Sequence, residues 1–421
     1  MLKSKGKIQV GIYLISILMM GVVGIASAIS VIGANFPELS QTDVQTLISI
    51  PCIIIIPVTL IVGKLMQVMS KKLLAIIGII LFLIGGLVPA FMTSFLALQI
   101  LRGVFGVGVG ILQVVSTALV AENFEGAERD RVQGNLQAFQ MLGCAIMVFV
   151  GGGLATMGWN TVFYVHIIGA ISLIVALVCL PNVKPSAPAK AANSAPAEKG
   201  KLTGKMWVWM IIAFFVFCTG QLYSNGNAYL LTEKGIGDSA ASGLGMAFFC
   251  AGGIIMGLLY GKLASALKDY TMGVGFIVMA LSYAVMAMAP SIAVFYVGCL
   301  IFGLGMSVVM PGVFLNVGNS VGPAAVGMAL SIATCVQNFG QFCSPYLFNP
   351  IAQAVSGESG LANVASFYVA AGIGALLGVI MLIRAAASVH IIDIVFMYFY
   401  PVKRRGKRRP EKTVSSGISL A

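Results

Sequence analysis

A chain of 421 residues that is 59% hydrophobic and 9% charged, with a mean hydropathy of +1.00, lies far from the roughly 25% charged share of soluble globular domains. That excludes an ordinary soluble protein and reads as an integral membrane protein. The formal net charge of +12 does not indicate nucleic acid, because the cations gather in short connections, a central segment and the C-terminal tail, a distribution that reports membrane topology.

Lys3, Lys5 and Lys7 before an apolar run imitate a signal peptide, and Ala26-Ser27-Ala28 imitates its cleavage site. The run exceeds the roughly 7–15 residues of a signal-peptide core, and more spans follow, so it is kept as the first helix. A span takes about 20 apolar residues, which predicts twelve. The first six fall at approximately 10–34, 45–69, 73–94, 95–121, 134–158 and 160–181. The second six fall at approximately 205–232, 240–265, 271–291, 292–319, 323–355 and 362–388. The expected fold is therefore an all-α integral membrane protein with 12 transmembrane helices in two pseudo-symmetric six-helix bundles, residues 1–181 and 205–388.

Residues 182–204, rich in Pro, Ala, Ser and Lys, are expected to be a flexible cytoplasmic linker. The odd connections carry Glu38, Asp43, Glu233, Asp238 and Glu358 with Lys234 as their single cation. The even ones take Lys64, Lys71, Lys72, Arg129, Arg131, the linker lysines, Lys262 and Lys268, which puts both termini in the cytoplasm. Trp159, Trp207 and Trp209 sit where interfacial aromatics are expected. In the basic tail, 389–421, the short apolar stretch Ile391–Tyr400 leads into Lys403-Arg404-Arg405, read either as an interfacial segment on anionic lipid headgroups or as a topogenic tail.

Several polar features interrupt the apolar runs. Gly63-Lys64-Leu65 with Lys71-Lys72, a basic turn, recurs half a chain later as Gly261-Lys262-Leu263, a period expected of a protein built from two like bundles. In span four, Arg102 precedes the glycine ladder Gly103, Gly106, Gly108 and Gly110. The glycines read as close helix packing rather than a nucleotide loop. An intramembrane cation is costly, so Arg102 must face the bundle interior, either bonding carbonyls at the outer end of span two or five or serving transport, with Gln113 three turns on. Spans five and eleven carry matching stripes, Gln133, Gln137, Gln140, Cys144 and Thr334, Asn338, Gln341, Pro345. A polar stripe faces a cavity or a neighbouring helix. Gln221 to Tyr229 in span seven, holding Tyr223, Asn225 and Asn227, predicts an interrupted helix that lines a site, with a frayed end as the competing reading. Span ten offers Pro311 and Asn316. His166 is read first as a core donor and second as a proton site. The eight cysteines lie in apolar runs without metal-like spacing and read as packing residues.

These residues resemble the major facilitator superfamily. Its loop pattern G-x-L-a-D-R-x-G-R-K is met by Gly63, Leu65, Lys71 and Lys72, with Gln67 for the acid and Ser70 for the second glycine. Its span-four pattern R-x-x-x-G-x-G is met by Arg102, Gly106 and Gly108. The antiporter pattern G-x-x-x-G-P-x-x-G-G-x-L is met by Gly143, Gly151, Gly152 and Leu154, while Met147 and Val148 stand for its Gly-Pro. The resemblance implies alternating access about a midplane site, with Gly63, Lys64, Lys71, Lys72, Gly261 and Lys262 in the gating loops.

Every acidic residue lies in a loop, a span end or the tail, which disfavours a mid-membrane proton carrier and a cationic substrate. The expected cargo is a small neutral or weakly anionic organic solute held by Arg102, Gln113, Gln137, Gln140, Tyr223, Asn225, Asn227, Asn316, Asn338 and Gln341. A proton-coupled multidrug antiporter and a non-transporting sensor are the alternatives. With no HExxH, no GxSxG and two histidines, no enzyme, metal or cofactor is expected. The chain is expected to act as a monomer in the cytoplasmic membrane.

Overall fold

In hydrocarbon a backbone can satisfy its N–H and C=O groups only within its own segment, so apolar runs of span length must coil. The computed structural model describes residues 2–182, 202–322, 325–357 and 361–399, with the backbone alone for 2–4, 127, 130 and 388–399. Its first half holds α1 (Leu2–Met19), α2 (Ile29–Asn35), α3 (Gln41–Leu65), α4 (Lys71–Leu87), α5 (Phe95–Asn123), α6 (Gly126–Ala155) and α7 (Ile168–Cys179). The second half holds α8 (Gly204–Lys234), α9 (Ser239–Leu267), α10 (Thr271–Met288), α11 (Ile292–Asn319), α12 (Val326–Ser356) and α13 (Ala362–Phe399).

These make the twelve expected crossings, because α1 and α2 are one span joined through 3-10 turns, and a 3-10 stretch at Thr161–Ile167 completes the span of α7. Among the described residues, ten stretches are long and apolar enough to cross a membrane; one, Ser239–Met288, contains both α9 and α10. The remaining helix, α12, is long enough but lowered in hydropathy by its polar stripe.

Alternating crossings define two faces. The terminal face carries the α3–α4 and α5–α6 turns and the start of α8. The far face carries the α2–α3, α8–α9 and α12–α13 connections. Helix ends at the far face are closed by caps. Ser40 and Asp43 form a capping box at 3.2 Å in each direction, and Asp238 accepts from Ala241 N at 2.9 Å. Gly235, at φ +63°, ends α8 in the left-handed conformation, and Ile236 N then reaches back to Leu231 O at 3.1 Å.

The glycine ladder does what its spacing suggests. A Cβ on Gly106 would lie 2.8 Å from Pro51 Cα, and one on Gly108 2.6 Å from Phe82 N, so α5 wedges between α3 and α4. The two halves meet along α3 with α12, α6 with α9, and α2 with α8.

Some expectations are corrected. Span seven is not interrupted: α8 runs unbroken through Gln221–Tyr229. Tertiary packing overrides the turn propensity of its Ser, Asn and Gly residues, since Gln221 to Ala228 are all buried and the amide of Gln221 donates along the helix to Asn225 Oδ1 at 3.1 Å. The broken span is the first one, where 3-10 turns at Met20–Val23 and Ala26–Ala28 release carbonyls. Gly261 and Lys262 lie within α9 rather than in a turn. Trp209 is buried under the Arg384 guanidinium, 5.2 Å from its ring, whereas Trp207 is exposed. The last helix continues past 388 to Phe399, so the expected interfacial segment extends α13. Its side chains, the linker at 183–201, Glu358 and the tail beyond Phe399 lie outside the described residues.

Candidate solute pathway

The seam between the halves has two different ends. At the far face the bonds that cross between the halves are made by uncharged side chains. Gln45 Nε2 donates to the Asn225 carbonyl at 3.0 Å while Gln45 Oε1 accepts from Asn349 Nδ2 at 2.8 Å. Asn349 Nδ2 also reaches Thr42 Oγ1 at 2.9 Å, and Tyr229 Oη donates to Ile29 O at 3.3 Å. Gln41 Nε2 donates to Asn363 Oδ1 at 2.8 Å. Asn363 in turn is fixed by Glu233, whose carboxylate accepts from Asn363 N at 2.9 Å, Asn363 Nδ2 at 2.7 Å and Val364 N at 3.0 Å. The crevice among Gln41, Asn349, Asn363 and Ser366 holds about 10 Å³, room for roughly one water.

Beside this network α6 and α9 touch backbone to backbone. A Cβ on Gly152 would stand 2.6 Å from Ser239 O, and one on Gly243 2.5 Å from Val148 O. Side chains larger than hydrogen do not fit.

Toward the terminal face the same helices part. No residue of α9 from Gly253 to Leu267 is buried, and Gly257 and Gly261 have nothing within 4 Å of a Cβ position. The α6 stripe records the change along one face: Gln133 is half-buried and Gln137 exposed, whereas Gln140 and Cys144 are buried. On α12, Thr334 and Gln341 are half-buried and Asn338 and Pro345 buried, and Asn349 continues the stripe by one further turn. The seam is closely packed at the far face and loosely packed at the terminal one.

The expected site residues divide accordingly. Gln137 is exposed, and Gln113 and Gln341 are half-buried. Gln140 Nε2 is spent on Met19 Sδ at 3.3 Å, Asn316 Nδ2 on Gly312 O at 2.8 Å, and Asn338 Nδ2 on Thr334 O at 2.9 Å. Asn225 is buried at the seam and Asn227 against α9, where its Nδ2 donates to Ser242 O at 3.3 Å, with Asn225 Nδ2 and Asn227 Oδ1 lacking partners. Tyr223 packs against Phe302 and Phe249 inside the second half.

Arg102 is fully buried. Its Nε donates to Leu47 O at 2.7 Å and its Nη2 to Val22 O at 2.9 Å, and the guanidinium lies 4.3 Å from the Phe105 ring centre. One carbonyl is on span two, as one reading had it; the other is on the broken first span, not on span five. His166 sits beside it, Nδ1 at 2.9 Å from Phe163 O and Nε2 at 3.4 Å from Gly21 O, with its ring against Phe82 and Phe105. Arg102 thus ties a carbonyl of the 3-10 stretch to one of α3, and His166 lies beside Gly21 O, which also accepts from Gly24 N at 3.0 Å.

Among the gating residues, Lys71 pairs with Glu122 at 2.7 Å and Lys72 donates to Leu177 O at 2.6 Å, both within the first half. Gly63, Lys64 and Lys262 are exposed on the terminal side. Sequence reasoning missed Gln41, Thr42, Gln45, Asn349, Asn363 and Glu233. The available signal was the continuation of the α12 stripe to Asn349 and the matching spacing of Gln41 and Gln45 on α3.

Comparison with known proteins follows the same architecture. The chain is 28% identical to the multidrug transporter protein MdtP of Bacillus subtilis over 116 residues, 27% of this chain and 21% of that one. It is 24% identical to the quinolone resistance protein NorA of Staphylococcus aureus over 159 residues, 38% of this chain and 41% of that one. The matched segment thus spans about a fifth of the length of MdtP. Among solved structures, the D-xylose-proton symporter superposes with a TM-score of 0.71 at 16% identity, covering 89% of this chain and 96% of that one. The peptide transporter POT in complex with sulfate gives 0.71 at 14%, covering 91% and 94%. The bacterial homologue of the lysosomal transporter Spinster, inward-facing and unoccupied, gives 0.64 at 15%, covering 94% and 98%. The sequence profile of the Major Facilitator Superfamily matches residues 10–345, four-fifths of the chain, and with twelve crossings in two halves the protein belongs to that superfamily.

Proposed function

We propose that the protein is a secondary transporter that moves a small neutral or weakly anionic organic solute by alternating access. The observation that carries this reading is the asymmetry of the seam: uncharged groups hold the halves together at the far face while the same helices diverge at the terminal face. Such a seam can exchange one closed end for the other at little cost, because rearranging amides strands no charge in lipid. With the termini in the cytoplasm, as the lysine and arginine distribution argues, this is an inward-open conformation of a cytoplasmic-membrane carrier.

The cargo class follows from which groups are free. Described acidic side chains lie at helix ends: Asp43 and Asp238 cap helices, Glu122 and Glu128 pair with Lys71 and Lys5, and Glu233 accepts three N–H bonds. Gln113, Gln137 and Gln341 remain to line the cleft, which suits hydroxyl, carbonyl or amide groups. Arg102 and His166 act in this reading as fixed donors to the first span, not as substrate or proton sites. The protein works as a monomer, with basic connections on anionic lipid and no catalytic role.

A proton-coupled drug antiporter is the second reading, favoured by the relatives called multidrug transporters. Purified protein is screened by thermal shift against sugars, organic acids, amides and cationic drugs, and hits are followed in proteoliposomes with and without a pH gradient. Stabilisation and flux of a neutral or anionic solute are expected. Gradient-driven flux of a cationic dye, without that of neutral solutes, would overturn the reading in favour of the second.

A further inference from the structure

We propose that Gln140 Nε2 of α6 and Ser116 Oγ of α5, two donors that rest on the thioether of Met19, form a subsite for the carbonyl oxygen of an uncharged cargo, with the Met19 sulfur as the acceptor that cargo displaces. That this ligand is cargo rests on the transporter reading; that the donors take a carbonyl does not.

Three elements converge on one sulfur. Gln140 Nε2 donates to Met19 Sδ at 3.3 Å, and Ser116 Oγ reaches the same atom at 3.5 Å. Both donors are buried, at 5% and 0% exposure, while Met19 is half-buried at the end of α1, where the first span breaks. Close contact of α6 with α1 fixes the pairing, since a Cβ on Gly143, one turn from Gln140, would overlap Ile17 O.

A thioether is a weak acceptor. Asn316 and Asn338 give their amide protons to backbone carbonyls, whereas Gln140, also buried, gives its own to sulfur. A buried N–H on a poor acceptor forgoes part of the free energy that an oxygen would return. Methionine turns readily about its side-chain bonds, so an incoming oxygen can take the place of the sulfur without moving a helix. Ser116 Oγ has a second acceptor in Gln113 O at 3.2 Å, and the side-chain amide of half-buried Gln113 makes no hydrogen bond among the described residues.

Exposure along α6 supplies the approach. Gln137 is exposed one turn nearer the terminal face than buried Gln140. Toward that face Tyr13 stacks on Phe139, ring centres 4.7 Å apart, and accepts from Asn135 Nδ2 at 3.0 Å, so the junction of α1 and α6 is polar and aromatic there. The donor set selects the ligand atom. Two neutral donors on one point satisfy a carbonyl oxygen, whereas a carboxylate would bring an uncompensated charge and an ammonium only further donors.

The test uses the full chain in nanodiscs with isotope-labelled methionine methyl groups, the Met19 signal being assigned through Met19→Leu. The probe is N,N-dimethylbenzamide. The control is N,N-dimethylbenzylamine, of similar shape with an ammonium and no carbonyl. A saturable shift of the Met19 methyl signal is expected with the amide and none with the amine. Gln140→Leu should weaken amide binding about ten-fold, whereas Met19→Leu, which removes the competing acceptor at similar volume, should tighten it about three-fold. A Met19 that only fills space would give no such gain. No shift at the solubility limit of the amide, an equal shift with the amine, or a Met19→Leu chain that binds no tighter overturns the proposal. Flux in proteoliposomes is read separately. Amide that binds at Met19 and is not carried contradicts the transporter reading and leaves the subsite, while uptake of other neutral solutes with a silent Met19 signal does the reverse.

Discussion

The far and terminal ends of the seam differ in what surrounds their helices. At the far end α3 is buried continuously from Val44 to Ser49, and α8 from Gln221 to Ala228, so every side of each helix has a protein neighbour. At the terminal end α3 past Ile55 keeps one buried residue, Val62, and α9 keeps none past Gly252. A helix packed on all sides can hold Asn and Gln in its middle, because both halves supply partners. A helix packed on one side can hold them only where water reaches. The difference teaches that polarity within these spans marks the seam, and that exposure tells which end of it is closed.

That contrast orders the effects of substitution. The largest belongs to Arg102→Met, which leaves Leu47 O of α3 and Val22 O of the broken first span without these donors. It should cost about 3 kcal/mol or more and prevent monodisperse elution after heating. Arg102→Lys, a single ammonium in place of a planar fork, should recover only part of the loss. Next comes Gly243→Leu, which drives a side chain against Val148 O and should lower Tm as an overpacked seam of about 2 kcal/mol does, with faster labelling of a cysteine placed at Gln353.

Asn349→Ala removes two bonds across the halves, each about 0.6 kcal/mol in membrane proteins, and should raise that labelling rate roughly seven-fold without unfolding the chain. At the terminal end, Gln137→Ala should change Tm negligibly yet weaken the thermal protection given by a transported solute. Lys71→Ala, which breaks a partly exposed ion pair, should shift stability by less than about 1 kcal/mol. If the terminal-end substitutions proved as destabilising as the far-end ones, the contrast would be lost.

Much of this was readable from residues alone, and for physical reasons. Apolar runs report crossings because lipid leaves the backbone no other choice, and the glycine ladder of α5 reports close packing because only hydrogen fits against Pro51 and Phe82. The stripes on α6 and α12 named two of the six seam helices. What sequence could not supply was the partner of each polar group. Gln221, Asn225 and Asn227 read locally as a break, but their burial between the halves makes them part of a straight helix. Arg102 suggested a counter-charge for cargo, yet its donors go to backbone carbonyls of two other spans, Leu47 O, which Pro51 leaves without an N–H partner, and Val22 O in the broken first span. Gln45 and Asn349 are separated by most of the chain, and nothing local announces their contact.

The central claim is that the two ends of the seam open in alternation. Spin labels in a background stripped of native cysteines, one pair at Glu38 and Gln353 on the far face and one at Lys64 and Gly327 on the terminal face, measure it directly by pulsed dipolar spectroscopy. The account predicts a short, narrow far-face distance with a longer terminal one, and in Asn349→Ala a population in which both change in opposite directions. Distances that lengthen together, or a terminal pair as short as the far pair, would contradict it.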